Sequence, residues 1–217
     1  MVRLAALPRP DRRLHIALAT AFLWHGGLLI SGSYRRTYDA YIHMFFGDHY
    51  ARDWFSTWET RWYTGFTTTS YPPGTHQLIA LLSKPFGLEA AFVIVQLTAV
   101  LLLVLGVYRF SMIWVDERAA GWAALLAVVS TSLAEVVHVF GQLPTSFSLA
   151  ILLNTLPSIF DWVANGRWRQ LLMAALGLAA TTAGHHVTTL FGTVFFVGPV
   201  IATALIDHLR QPRANEP

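Results

Sequence analysis

Cysteine is absent from the 217 residues, which excludes disulfides and thiolate metal sites. Charge is scarce as well: Asp, Glu, Lys and Arg make up 12% of the chain, against about 25% in a soluble domain. Losing half the usual charge suits a protein whose surface largely faces lipid. Lys84 is the only lysine, so the formal charge of +3 rests almost wholly on arginine. The arginines stand scattered at the ends of apolar blocks and form no stripe, so they read as topology determinants and not as a nucleic-acid surface. The alternation of barrel strands is also missing, which leaves α-helices as the means of satisfying backbone groups in hydrocarbon.

What is present is a series of apolar blocks near the roughly 20 residues that a crossing helix needs. They cover residues 14–30, 88–110, 119–139, 144–163 and 187–206, with a shorter block at 168–183. The expectation is an all-α polytopic membrane helix bundle over residues 14–206 with about six spans. A basic tail over residues 1–13 precedes it, and a polar tail over 207–217 follows it. A basic start before one apolar run also fits a cleaved signal peptide, but Ser31-Gly32-Ser33-Tyr34 makes a poor cleavage site. Residues 76–86 are apolar but too short to cross and contain Lys84-Pro85, which predicts a short interfacial helix. No internal repeat or low-complexity tract is evident.

Arginine sets the expected orientation. With the amino terminus in the cytoplasm, Arg109, Arg118, Arg167, Arg169, Arg210 and Arg213 all fall inside. The short opposite connections around 141–144 and 184–186 carry no Lys or Arg, as the positive-inside rule requires. Residues 33–76 then form a large outer loop. This orientation gathers the unusual polar groups on one side. Asp39, His43, Asp48, His49, Asp53, Glu59 and Arg61 lie in the loop, Glu135, His138 and Gln142 close the third span, and His185 and His186 turn between the last two. Ionisable groups at membrane depth are costly and commonly mark a site.

The loop opens on Thr37-Tyr38-Asp39-Ala40-Tyr41-Ile42-His43, whose spacing predicts an interfacial helix with Thr37 as N-cap. Tyr38, Tyr41, Ile42, Phe45 and His49 share one arc, and Asp39 and His43 sit four apart beside it. In the first turn the helix dipole favours ionised Asp39. Trp54, Trp58, Trp62 and Tyr63 read either as an interfacial aromatic belt or as a surface that stacks on sugars. Tyr71-Pro72-Pro73-Gly74 stiffens the chain before the short helix. His185 and His186 point about 100° apart on a helix, which disfavours a shared metal ion; anion binding or capping are the other readings. His138 and Glu135 lie one turn apart and could satisfy each other. His15, His25 and His208 carry no spacing signal.

In this order the features resemble the GT-C superfamily of membrane glycosyltransferases, which includes protein O-mannosyltransferases and the lipid A aminoarabinose transferase. The order is one span, an outer loop opening with Asp39 on an interfacial helix, an aromatic Trp/Arg segment, Tyr71-Pro72-Pro73 and a short helix ending in Phe86-Gly87. The chain looks closest to large prokaryotic membrane proteins with an Asp-x-x-x-His first loop, named 6-pyruvoyl-tetrahydropterin synthase-related; nothing here resembles that soluble enzyme. Gly141-Gln142-Leu143-Pro144-Thr145 and Gly184-His185-His186 also look like outer-side motifs of that group.

The resemblance covers most of residues 14–206 and implies the amino-terminal portion of a longer protein in a prokaryotic plasma membrane. It implies transfer of a sugar from a polyprenyl-phosphate donor to a glycan, lipid or protein acceptor on the outer side. Asp39 matches the catalytic acid. His43, Arg61, Gln142, His185 and His186 would bind substrate, and Arg35 and Arg36 would hold lipid phosphate. No cofactor is required by these residues, and a divalent metal is compatible with them. Two positions depart from the pattern: Ala40 replaces the second acid of an Asp-Glu pair, and Gly74 stands where Leu would follow Pro72-Pro73. A membrane transporter or flippase, and a non-catalytic assembly subunit, are the alternative readings.

Overall fold

The computed structural model describes residues 11–210; the rest of both expected tails lies outside the described residues. Among these residues the fold is all-α apart from one two-residue ladder, with nine helices when runs continued through a π turn count as one. They are α1 (Arg12–Ile30), α2 (Ala40–Arg52), α3 (Gly74–Phe86), α4 (Leu88–Ser111), α5 (Glu117–Val128), α6 (Thr131–Phe140), α7 (Leu143–Asn165), α8 (Trp168–Gly184) and α9 (His186–Arg210). Side-chain caps start several of them. Asp11 accepts from the Arg13 amide at 2.8 Å, Asp116 from the Ala119 amide at 2.7 Å and Ser130 from the Leu133 amide at 3.3 Å.

By length and composition α1, α4, α7 and α9 can each cross a membrane. The pair α5 and α6, bent by 44° at Ser130, makes a fifth crossing if it acts as one span. Four or five of the six expected spans therefore meet this criterion. The block at 119–139 is broken because Ser130 ends one helix and caps the next. The block at 168–183 forms a 17-residue helix, about 25 Å long against a hydrocarbon core of about 30 Å.

Side-chain register shows how the long helices run. Gln96 of α4 meets Ser146 of α7, and Arg109 meets Asn154 farther along both, so these helices are parallel. A Cβ on Gly177 or Gly184 of α8 would run into Thr155 or Ser148 of α7, so α8 returns antiparallel along α7. His208 of α9 bonds the Ala164 carbonyl near the end of α7. Asn154 donates to the Leu102 carbonyl at 2.7 Å and so ties α7 to α4 where Gly106 lets them approach. One end of the bundle thus collects Asp11, Tyr108 and Ala164. The other collects Tyr34 and Arg35 on Glu89, with the α6–α7 and α8–α9 turns.

At that second end the 33–76 segment folds over the bundle. It contains α2 and, unforeseen from the sequence, an antiparallel ladder of β1 (Trp58–Glu59) and β2 (Phe66–Thr67). The expected helix at 76–86 begins two residues earlier, at Gly74. Gly74 is needed for close approach: a Cβ there would lie 2.7 Å from the Ala183 carbonyl oxygen at the end of α8. A backbone atom cannot move aside cheaply. Gly74→Ala should therefore lower stability by about 1–3 kcal/mol, read as a drop in thermal midpoint in detergent. Gly27→Ala, where nothing lies within 4 Å, serves as the control and should be neutral or mildly stabilising.

Candidate functional site

Two backbone hydrogen bonds place Asp39. The amides of Tyr38 and Asp39 donate to the carbonyls of Val139 and Phe140 at 3.2 and 3.0 Å, which ties the start of the loop to the end of α6. Gly141 makes this possible. Its φ of +71° turns the chain out of α6, and a side chain there would collide with Thr37. Thr37 is not the N-cap expected; its hydroxyl donates to the Tyr34 carbonyl at 2.8 Å and closes the preceding turn. Asp39 occupies the N-cap position of α2, yet its side chain makes no capping bond. The carboxylate is left for something else.

It faces a pocket of about 180 Å³ lined by Asp39, His43, Tyr71, Gln142, Pro144, Thr145 and His185. Four of the expected site residues, Asp39, His43, Gln142 and His185, thus come together from the loop, the α6–α7 turn and the α8–α9 turn. His186 stands beside them, exposed. Burial raises the Asp39 carboxyl above the ordinary aspartate value, which opposes the dipole effect expected at a helix start. His185 bonds the Thr188 hydroxyl through Nδ1 at 2.8 Å and stacks on Tyr71 with ring centres 6.2 Å apart.

Two residues of this site went unrecognised in the sequence. Tyr71 read only as part of a stiff turn, but its ring packs edge-on against His43 and His76. His76 is fully buried, and its Nε2 lies 3.1 Å from His43 Nδ1. Burial, then the neighbouring His185, pushes the His43 imidazole down to about 3. Burial, then His43 and His185, holds His76 well below the ordinary value. His43 Nε2 and His76 Nδ1 have no hydrogen-bond partner. Local spacing gives no hint of this pairing, because the partners lie 33 residues apart on different helices.

The cations expected at the site are elsewhere. Arg61 grips Glu59 through two guanidinium bonds of 3.0 and 2.9 Å and reaches Asp48 at 2.6 Å; it is not part of the pocket lining. Arg35 pairs with Glu89 at 2.6 Å on the surface, and Arg36 is exposed in the same turn. His49, expected on the interfacial arc, is buried, with Nδ1 2.9 Å from Glu59 and Nε2 2.9 Å from the Ser56 carbonyl. Tyr38 and Tyr41 of that arc are exposed. Trp62 packs edge-on against Phe45 and Phe66 within the loop, whereas Trp54, Trp58 and Tyr63 are exposed. Among the described residues no three His, Asp or Glu side chains converge in a metal-binding arrangement.

A second, partly buried cluster corrects another expectation. His138 does not pair with Glu135, which is exposed; its Nε2 lies 2.9 Å from His25 Nδ1, and its Nδ1 lies 3.1 Å from the Ser33 hydroxyl. His25 Nε2 faces the Val128 carbonyl at 3.0 Å, at the break between α5 and α6. A carbonyl only accepts, so in the neutral chain Ser33 donates to His138, His138 to His25 and His25 to Val128.

No known protein family, curated protein or solved structure matches this chain.

Glu59 carries the loop. It is 2% exposed and accepts from His49, Arg52 and Arg61 together with the Arg61 amide. Removing one side of such a buried ionic group leaves its partners uncompensated. Glu59→Ala should cost about 3–5 kcal/mol, and Asp48→Ala, on the exposed edge of the same cluster, about 0–1 kcal/mol. Thermal melts, with limited proteolysis across residues 52–70, measure the contrast.

Proposed function

We propose that this chain is a membrane glycosyltransferase of GT-C type, or its amino-terminal half, acting on the outer face of a prokaryotic plasma membrane. The donor is a polyprenyl-phosphate sugar and the acceptor a hydroxyl on a glycan, lipid or protein. The observation that carries this reading is Asp39: an uncapped carboxylate at a helix start, raised by burial, facing a polar pocket. As general base it takes the acceptor hydroxyl's proton while that oxygen bonds to the anomeric carbon. The bond from the anomeric carbon to the phosphate oxygen breaks, and the phosphate leaves with the electron pair. Gln142, Thr145 and His185 offer hydrogen bonds to hold the acceptor. Arg36, exposed just before Asp39, supplies charge for the lipid phosphate, with Arg35 beside it held by Glu89. Arg61, committed to Glu59 and Asp48, contributes by holding the loop.

The proposed topology has six crossings with both ends cytoplasmic. What supports the sixth is the antiparallel course of α8 along α7, which returns it to the level of Ser148. The arginine asymmetry of the short loops supports the orientation. Cysteine labelling tests it on a chain with no native cysteine. Ser56→Cys should react with an impermeant reagent from the outer side; reaction from the cytoplasmic side alone would reverse the assignment.

Asp39→Asn separates chemistry from folding. The side chain makes no capping bond, so the variant should insert with unchanged stability, while turnover falls by about 10²–10⁴-fold. The acidic limb of the wild-type rate profile should lie above the ordinary aspartate value, since activity is lost as pH falls through a raised carboxyl pKa. Transfer is measured in reconstituted membranes with a polyprenyl-phosphate sugar and extracted acceptor. Full activity of Asp39→Asn would remove the catalytic assignment.

One observation favours a second reading, a transporter or flippase. The pair of buried His25 and half-buried His138 joins α1 to the bent α5–α6 pair, and ionisable groups at membrane depth often mark a path. On that reading His25→Phe abolishes solute or lipid movement in proteoliposomes and Asp39→Asn does not.

A further inference from the structure

The His43–His76 pair lies behind the pocket and has no place in the reaction as drawn above. Its geometry is specific. His43 lines the pocket, is 2% exposed, and turns Nδ1 toward His76 Nε2 at 3.1 Å. Each ring keeps its other nitrogen buried and without a partner. Phe46 packs on His76 at 5.0 Å between ring centres, and Tyr71 packs edge-on against both imidazoles. Among the described residues no Lys or Arg lines the pocket; its ionisable groups are Asp39, Tyr71 and the imidazoles of His43 and His185.

Two neutral imidazoles joined ring to ring share one N–H in the bridge. The outer nitrogens must then be of opposite kind. If His76 Nε2 donates, His43 Nε2 carries a hydrogen and donates outward, and His76 Nδ1 is bare. If His43 Nδ1 donates, both outer roles reverse. Neither outer nitrogen has a protein partner, so nothing on the protein side sets the register.

We propose that His76 is a positioning residue that presents His43 Nε2 to the pocket as a hydrogen-bond donor to a ligand hydroxyl oxygen, the hydrogen of that hydroxyl pointing to Asp39. This rests on reading the pocket as a hydroxyl-binding site. The burial that keeps both rings uncharged near neutral pH makes the change one of tautomer and not of charge. A donor at the oxygen offsets negative charge as Asp39 removes the proton, and the donor must be held in place beforehand to be effective. The ligand class is a neutral polyol or saccharide hydroxyl; a phosphate would meet a carboxylate and no cation.

Nitrogen-15 NMR of histidine-labelled protein in nanodiscs tests the device without an assay. At pH 7 both rings should be neutral, with coupling across one N–H bridge between His43 Nδ1 and His76 Nε2. Adding glycerol as a hydroxyl probe should shift His43 toward the Nε2–H tautomer, while inorganic phosphate should leave it unchanged. His76→Leu should abolish the glycerol response and lower kcat on the order of tenfold, with KM for the acceptor little changed, and His76→Gln should restore much of kcat because its amide can donate to His43 Nδ1. A charged imidazole at pH 7, no bridge, or a glycerol response that survives His76→Leu would overturn the proposal. Should His76→Leu fail to fold, the wild-type spectra and His76→Gln still decide. Loss of the glycosyltransferase reading through an active Asp39→Asn leaves the bridge and glycerol readouts intact, so the two failures are distinguishable.

Discussion

The Tyr38 and Asp39 amides have to find carbonyl partners, and they find them at the very end of α6. That docking is available because α6 stops at Gly141, whose left-handed turn leaves room for Thr37, and because the Val139 and Phe140 carbonyls at a helix terminus have no intrahelical partners. The rest of the site depends on this seam. It sets where α2 starts, and α2 carries His43 into contact with His76 of α3. α3 in turn is held close to α8 by Gly74, which brings the α8–α9 turn and His185 to the opposite wall. A methyl group at Gly74 would press on the Ala183 carbonyl, and one at Gly141 on Thr37 and the Ala40 amide, the two seams that hold the pocket's walls.

Charge is partitioned with equal economy. Three of the loop's arginines face carboxylates, Arg61 and Arg52 on Glu59 and Asp48 and Arg35 on Glu89, while Arg36 is exposed. The pocket keeps one carboxylate and imidazoles that burial holds uncharged. A pocket with an acid and neutral donors suits an uncharged hydroxyl group. Arg36 stands exposed one short segment before Asp39, and Arg35 beside it is held by Glu89.

Much of the candidate site was legible from arginine positions and motif order alone. Asp39, His43, Gln142 and His185 were grouped by being on one side, and they line one pocket. The residues misplaced were those whose partners lie far along the chain. Arg61 is expected at the substrate from the resemblance, but it is taken by Glu59 and by Asp48, whose place thirteen residues away on α2 no local spacing reveals. His25 carried no signal because its partner is 113 residues away. Glu135 and His138, one turn apart, point differently because α6 widens into a π stretch from Val136.

The sequence by itself determined the class of the fold: too little charge for a soluble surface, and apolar runs long enough for hydrocarbon, leave helices as the answer. It determined where most helices begin and end, since caps and breakers act over three or four residues. Tertiary structure decided the rest. The bend at Ser130, the reach of α8, the His43–His76 and His25–His138 pairs and the commitment of Arg61 depend on which helix faces which. That is a matter of close approach at glycines and of buried polar atoms finding partners across the bundle, and periodicity along one chain carries no record of either.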